Sequence, residues 1–168
     1  RCNLAEFTAA TAAKQPTPGG GSVAGAVGAL AVSLGEMTLN FSRGKKSLAG
    51  YDELHAHLAG RLERARRMFL DLLADDVAAF GMYEEATRQE PGDEKTEAEA
   101  LALAAAIDVP REMAKLALAV LGDLQQLAGA CTAWLASDLV AAAHLASAVC
   151  VLSDLNVRVN ARNLDDEA

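Results

Sequence analysis

The chain has 168 residues, of which 23 are acidic and 15 basic, so its formal net charge is −8. Because binding to a phosphate backbone needs a basic surface, this charge argues against a nucleic-acid-binding protein. Apolar residues make up 52% of the chain but aromatic residues only 4%, and the dominance of alanine and leucine favours packed helices over a sheet. We therefore predict one all-α domain over residues 1–168, a bundle of six or seven helices with one long central helix.

The cysteines and the apolar segments indicate a cellular setting. Cys2, Cys131 and Cys150 cannot all pair and match no zinc or redox spacing, which is typical of a protein in the reducing cytosol. The longest apolar runs, residues 23–35 and 139–152, are shorter than the roughly 18–20 residues needed to span a bilayer. The sequence thus predicts a soluble, cytoplasmic protein with neither a membrane nor a nucleic acid as partner.

A short amphipathic helix over residues 3–14 is the first predicted element, and it ends before Pro16. The loop 16–22, Pro-Thr-Pro-Gly-Gly-Gly-Ser, follows, and Ser22 is placed to cap a second helix that runs to about Ser42. Free N–H groups and the positive end of the helix dipole at that start could bind an anionic or electron-rich ligand. The alternatives are a flexible linker or a turn that lets two helices pack closely.

The second helix carries a face of small residues. Gly21, Gly25 and Gly28 are spaced by four and three residues, so they share one side of the helix. A neighbouring helix can therefore approach closer than the usual separation of about 8–10 Å. We interpret this helix as central to the fold.

The third helix has the clearest periodicity in the chain. Apolar residues recur every three or four positions from Leu54 to Tyr83, which predicts one long helix over residues 52–88 with one buried face. Asp76 lies on that face, where an apolar residue is expected. Because a buried carboxylate costs several kcal/mol unless it is paired, Asp76 should either have a hydrogen-bonding partner in the core or serve a ligand.

Two further helices, over residues 94–107 and 109–127, follow a turn at 90–93. We place the break between them at Asp108 and Pro110, because aspartate is a common helix cap and proline is favoured in the first turn. The sequence therefore predicts a helix boundary here.

The last long helix begins at Ser137 and Asp138. Three amides, Asn156, Asn160 and Asn163, lie at i, i+4 and i+7 and share one face. Arg158 lies on a different face of the same helix.

Two familiar motifs are incomplete. Gly19, Gly21 and Ala24 match G-x-G-x-x-A, but no strand precedes them, so the dinucleotide-binding interpretation fails. His55 and His57 are two residues apart on a helix and point to different sides, so they cannot hold one metal together. We therefore predict no metal site.

Polar side chains remain at positions where apolar ones are expected. Carboxylates and a lysine suit proton transfer at a carbon–nitrogen centre, and amides can orient a planar polar heterocycle. These side chains are Ser22, Lys45, Lys46, Asp76, Asp138 and the asparagines of the last helix.

Short motifs run along most of the chain in a fixed order: Leu4–Phe7, Pro16–Ala24 (PTPGGGSVA), Gly44–Lys46, Asp76–Phe80 (DVAAF), Val109–Pro110, Ser137–Asp138 and Asn156–Asn160 (NVRVN). In these motifs the chain resembles the cyclodeaminase/cyclohydrolase family of folate enzymes. That family includes the C-terminal domain of formiminotransferase-cyclodeaminase and stand-alone methenyltetrahydrofolate cyclohydrolases.

The resemblance implies an all-helical homodimer with a folate site lined by the glycine loop near the subunit interface. It implies a tetrahydrofolate derivative as substrate and no further cofactor or metal. It gives acid–base work or ligand orientation to Asp76 and Asp138, and proton donation or contact with the glutamate tail to Lys45 or Lys46. The residues to which it gives substrate binding are Pro18, Gly19, Gly20, Gly21, Ser22, Asn156, Arg158 and Asn160.

Two reactions follow from the resemblance. In cyclodeamination, N10 attacks the formimino carbon on N5 and ammonia leaves, which gives 5,10-methenyltetrahydrofolate. In cyclohydrolysis, water attacks that bridge and the ring opens. We favour the cyclodeaminase by a small margin, with methenyltetrahydrofolate cyclohydrolase as the alternative. A non-catalytic folate-binding or structural helical dimer is the alternative from another class.

Overall fold

Five α-helices make up most of the computed structural model, which describes residues 3–165 and the side chains of residues 3–162. They are α1 (Leu4–Ala12), α2 (Gly20–Ser42), α3 (Asp52–Thr87), α4 (Asp93–Ala128) and α5 (Ala136–Asp165). Short 3-10 helices, Lys46–Tyr51 and Ala133–Leu135, precede α3 and α5. The all-α prediction is confirmed for the described residues, but the predicted six or seven helices reduce to five.

The four long helices form an up-down-up-down bundle. Helix α2 packs on α3 and α5, and α4 closes the ring by packing on the same two helices. Contacts between distant residues fix the antiparallel directions: Arg61 of α3 bonds Asp123 of α4, and Asn160 of α5 bonds Ala106 of α4. Short connections between successive helices permit this arrangement.

The glycine face of α2 brings its backbone close to α3, as predicted. A Cβ atom on Gly28 would lie 2.5 Å from the ring of Phe69, and one on Gly25 would lie 2.9 Å from Cβ of Leu73. Phe69 is fully buried. Because any side chain at these two positions would force the helices apart, the glycines set the separation between α2 and α3.

The bundle is not equally complete at its two ends. Gly21 near the start of α2 lies level with Asp76 of α3, so residues 77–87 of α3 extend past the beginning of α2. The segment 13–19, which joins α1 to α2, lies at this end in place of a helix. The missing length of α2 leaves room for a cavity between α3, α4 and α5.

The predicted boundary at Asp108 and Pro110 is wrong, because α4 continues through it. Pro110 lies buried inside the helix. Its missing N–H would ordinarily bond the carbonyl of Ala106, four residues earlier. That carbonyl instead accepts from Nδ2 of Asn160 at 2.7 Å. A side chain from α5 thus supplies the donor that proline lacks, and the helix is not broken.

The starts of the first two helices also differ from expectation. Helix α2 begins at Gly20 with Gly19 as its cap, so Ser22 lies in the first turn and does not cap it. Helix α1 begins with a capping box, in which Asn3 accepts from the Glu6 N–H and its own N–H bonds Glu6 Oε2, each at 2.9 Å. Helix α1 nevertheless buries no residue, so its apolar face is not covered within this chain.

Two helical segments are apolar over a greater length than the runs 23–35 and 139–152 indicated. Gly20–Ser42 and Ala133–Arg162 are both long and apolar enough to cross a membrane by length and composition. The first buries 56% of its most apolar window within the bundle, but the second buries only 22%. Helix α2 is therefore a core helix, whereas α5 exposes an apolar surface that includes Val140, Val151, Leu155 and Val159.

Candidate functional site

A cavity of about 340 Å³ lies at the end of the bundle where α2 begins. The loop before α2 forms one side of it, and α3, α4 and α5 form the others. Its lining residues are Pro16, Thr17, Gly19, Gly20, Gly21, Asp76, Ala79, Phe80, Tyr83, Ala102, Leu103, Ala106, Asn156 and Asn160. The structure thus brings together the glycine loop, Asp76 and two of the asparagines around one cavity.

The carboxylate of Asp76 lies against the first turn of α2. Ser22 is fully buried and donates from Oγ to Oδ2 of Asp76 at 2.6 Å. A Cβ atom on Gly21 would overlap Oδ1 of the same carboxylate. The Asp76 carboxylate therefore places a negative charge beside the start of α2, where a helix N-terminus stabilises such a charge. The space left in the cavity suits a neutral or cationic group.

Asp76 is the one charged side chain among the described residues that line this cavity. Its Oδ2 is bonded to Ser22, whereas Oδ1 has no hydrogen bond within the described part of the chain. The carboxylate is half-buried. It can therefore accept a proton or face a positive charge at the cavity.

The two asparagines on α5 both use their NH₂ groups on backbone carbonyls. Nδ2 of Asn156 donates to Leu152 O at 2.9 Å, and Nδ2 of Asn160 donates to Ala106 O at 2.7 Å. Oδ1 of Asn156 lies 3.5 Å from where a Cβ on Gly20 would be. Each amide therefore offers a ligand its oxygen, which is an acceptor, and the second N–H of its NH₂ group.

The aromatic side of the cavity was missed by the sequence analysis. Phe80 and Tyr83 of α3 line it, and their ring centroids are 6.4 Å apart. Both follow Asp76 on the apolar face of the predicted helix, at i+4 and i+7. That spacing indicated burial in the core, but the core ends at the start of α2, so the rings face the cavity.

Three predicted catalytic residues lie at the opposite end of the bundle. Helix α2 is roughly 33 Å long at 1.5 Å per residue. Lys45 and Lys46 follow its last residue, so they lie at the end opposite the cavity. Asp138 is in the first turn of α5, roughly 27 Å along that helix from Asn156. Lys45 donates to Oγ1 of Thr132 at 2.9 Å. Within one copy of the chain, these side chains do not reach Asp76.

Three predicted substrate-binding residues also lie outside the cavity lining. Pro18 forms a cis peptide bond with Thr17 but is not part of the lining, although Thr17 is. Ser22 is buried behind Asp76. Arg158 is exposed and pairs with Asp154 one turn away, with Nε 2.8 Å from Oδ2. Ser22 therefore acts on the site through Asp76.

Cys131 and Cys150 do not line this cavity. Partial burial raises the pKa of the Cys131 and Cys150 thiols, which makes them poor nucleophiles. Cys2 lies outside the described residues.

Comparison with known proteins gives consistent matches over nearly the whole chain. The family model for formiminotransferase-cyclodeaminase matches residues 3–168. A methenyltetrahydrofolate cyclohydrolase from Methylorubrum extorquens is 35% identical, over 96% of this chain and 80% of that protein. The formimidoyltransferase-cyclodeaminase of Gallus gallus is 27% identical over 98% of this chain, which spans only 31% of that longer protein.

A solved structure supports the same assignment. The crystal structure of a formiminotetrahydrofolate cyclodeaminase from Thermotoga maritima superposes with a TM-score of 0.90 at 33% identity. The match covers 99% of this chain and 82% of that one. Fold, family model and sequence identity agree, and the chain belongs to the formiminotransferase-cyclodeaminase family.

Proposed function

We propose that this chain is an enzyme acting on the one-carbon unit held between N5 and N10 of tetrahydrofolate. The observation that carries the proposal is the charge pattern of the cavity, in which the Asp76 carboxylate is the one charged lining group of the described residues. The 5,10-methenyl bridge is a delocalised cation, so a carboxylate complements it. The volume, about 340 Å³, falls at the lower end of the usual range for small-ligand sites.

Hydrolysis of the methenyl bridge is the reaction that this cavity supports best. Water would attack the bridge carbon, where a C–O bond forms, while Asp76 takes one proton of the water. Asp76 would return that proton to N5 as the C–N5 bond breaks, and the hydroxyl proton would leave to solvent as the formyl C=O forms, which gives 10-formyltetrahydrofolate and one released proton. Ser22 holds Oδ2 of Asp76, which leaves Oδ1 to take the proton. The cyclohydrolase of Methylorubrum extorquens, at 35% identity, supports this choice.

Cyclodeamination is the second candidate, and the Thermotoga maritima cyclodeaminase supports it by its TM-score of 0.90. This reaction needs an acid to protonate the departing ammonia, as hydrolysis needs one to protonate N5. Among the described lining residues the cavity offers no lysine, arginine or histidine. A cationic acid for this reaction would therefore have to come from outside this lining.

A homodimer would supply such a group, and we include it in the proposal. Lys45, Lys46 and Asp138 lie at the far end of each copy, and an antiparallel second copy could present them to the cavity of the first. The exposed apolar side chains of α5 support such a contact, since large exposed apolar patches mark association surfaces. Size-exclusion chromatography with light scattering tests the dimer directly.

Complementation tests the shared site. Asp76→Asn and Lys45→Ala chains, each of low activity alone, are unfolded together and refolded as a mixture. If one copy completes the cavity of the other, a mixed dimer contains one intact site and activity returns. If the mixture is no more active than the separate variants, Lys45 does not act across a dimer.

Substrate assays separate the two reactions. The protein is incubated with 5,10-methenyltetrahydrofolate and, separately, with 5-formiminotetrahydrofolate, while methenyl absorbance and ammonia are followed. Loss of methenyl absorbance from the first substrate supports the cyclohydrolase, and its appearance with ammonia from the second supports the cyclodeaminase. Thermal stabilisation by both folates without turnover would support a folate-binding protein, and folded protein that neither binds nor converts them would contradict the proposal.

A further inference from the structure

Pro110 and Asn160 belong to two different sequence motifs, yet they meet at one backbone carbonyl. In an unbroken helix, the N–H of residue 110 would bond Ala106 O. Proline has no N–H, and Asn160 Nδ2 occupies that carbonyl at 2.7 Å. Pro110 is buried, and Ala106 and Asn160 both line the cavity. The proline therefore affects a hydrogen bond between two residues that line the cavity.

This contact fixes which end of the Asn160 amide faces Ala106. A carbonyl oxygen can only accept, so the NH₂ group must face it and Oδ1 must lie on the other side of the amide. If the amide rotated by 180°, two oxygens would be brought together and the Ala106 carbonyl would lose its donor. Ala106 is half-buried, so leaving its carbonyl unpaired has a cost in free energy. Asn160 is thus held with Oδ1 turned away from Ala106, while its NH₂ group bonds the carbonyl with one N–H and retains a second.

We propose that Pro110, through the Ala106 carbonyl, fixes Asn160 as an acceptor that selects an N–H donor on the ligand. This inference rests on the proposed function, in which the donor is an N–H or amino group on the edge of a reduced pterin ring. Asn156 has its NH₂ group committed in the same way. With Asp76, these residues give the polar side of the cavity an acceptor character that suits a donor-rich, cationic ligand.

Pro110→Ala is the variant that tests the proposal, because Pro110 is not among the residues that line the cavity. Alanine restores the N–H to Ala106, which frees the Asn160 amide to rotate. We expect an unchanged or higher melting temperature but a dissociation constant for tetrahydrofolate about three- to tenfold larger, the effect of one neutral hydrogen bond. We expect kcat within about threefold, because Pro110 acts on binding only.

Matched controls isolate the effect. Pro91→Ala makes the same substitution in the exposed turn before α4, and it should leave tetrahydrofolate binding unchanged. Asn160→Ala should lower the melting temperature in the wild-type background, where Ala106 O loses its donor. In the Pro110→Ala background the same change should cost at most half as much, because the backbone N–H is then present. Asn40→Ala, at an exposed position of α2, should cost the same in both backgrounds.

Two results would overturn the inference. One is tetrahydrofolate binding by Pro110→Ala that equals wild-type binding, which would show that proline does not set the amide. The other is a loss of melting temperature on Asn160→Ala that is equal in both backgrounds. A wild-type protein that binds no tetrahydrofolate derivative would contradict the proposed function and the ligand assigned to Asn160, whereas the melting temperatures would still decide whether Pro110 and Asn160 are coupled.

Discussion

The two ends of the bundle use polar side chains in different ways. Where α2 begins, the carboxylate of Asp76 and the amides of Asn156 and Asn160 line a cavity. Where α2 ends, polar groups pair with one another: the N–H of Thr132 donates to Ser42 Oγ at 3.0 Å, Lys45 donates to Thr132 Oγ1, and Nε2 of His55 bonds Ala130 O at 2.7 Å. These bonds hold the loop between α4 and α5 onto the ends of α2 and α3.

This difference separates the polar groups that serve function from those that serve stability. A polar group that is paired within its own chain stabilises the fold, whereas one that is left open beside a cavity is available to a ligand. Within one copy, the first end should therefore control turnover, and the paired groups of the second end should control the free energy of unfolding. Lys45, Lys46 and Asp138 would act on turnover through a second copy. Four substitutions, taken from the largest expected effect to the smallest, test this division.

Asp76→Asn should have the largest effect on activity. Asparagine can still accept from Ser22, but it cannot take a proton or balance a cation. We expect kcat to fall about 10²- to 10⁴-fold, the usual loss when a general base is removed. Steady-state assays measure kcat, and circular dichroism checks the fold. Asp75→Asn, an exposed neighbour, is the control, and an equal loss there would remove the special role of Asp76.

His55→Ala should have the largest effect on stability. His55 is 1% exposed and bonds the loop carbonyl of Ala130. Its removal leaves a cavity and an unpaired carbonyl, so we expect the free energy of unfolding to fall by about 2–4 kcal/mol. Urea denaturation measures it, with the exposed His57→Ala as control. If kcat/KM of the folded variant fell more than threefold, the two ends would not be independent.

Gly21→Ala should affect both properties to an intermediate degree. The added Cβ would overlap the Asp76 carboxylate, so either the side chain or the start of α2 must move. We expect a loss of about 1–3 kcal/mol in the free energy of unfolding, together with lower kcat. Gly81→Ala, with no atom within 4 Å of the new Cβ, should instead stabilise α3 by about 0.5–1 kcal/mol. Wild-type kcat in Gly21→Ala would show that the carboxylate tolerates displacement.

Arg158→Ala should have the smallest effect. Arg158 is exposed, and its ion pair with Asp154 on the same helix contributes less than about 0.5 kcal/mol. It lies outside the cavity, so we expect KM within about twofold of wild type. Substrate titration measures KM, with Arg67→Ala, which makes a similar exposed pair with Glu63, as control. A marked rise in KM for Arg158→Ala alone would extend the ligand beyond the cavity.

Local patterns predicted the parts of the fold that depend on one helix at a time. The spacing of Gly21, Gly25 and Gly28 gave the close approach to α3, and the periodicity of α3 identified Asp76 as a carboxylate on an apolar face. The expectation that Asp76 needs a partner is met by Ser22. Helix spacing and the cost of an unpaired buried charge are sufficient for these conclusions.

The failures all depend on another helix. Pro110 breaks an isolated helix, but Asn160 from α5 supplies the missing donor. Ser22 is a good cap by residue type, yet it bonds Asp76 on α3. Tyr83 follows the core spacing but faces a cavity because α2 begins too late to cover it. Each outcome depends on which helices pack together and how far each one extends, which short-range rules do not contain.

The glycine face of α2 has a consequence for the precision of the site. Gly25 and Gly28 have no side chains, so the backbone of α2 packs directly on the side chains of Phe69 and Leu73. Few side chains between the two helices can therefore change rotamer. Asp76 lies on α3 less than two turns beyond Phe69. The mean-square displacement of its side chain should therefore be close to that of the backbone. Amide hydrogen exchange in this part of α2 and α3 should therefore be among the slowest in the protein. The Asp76 carboxylate would then lie on one of the most rigid segments of the chain.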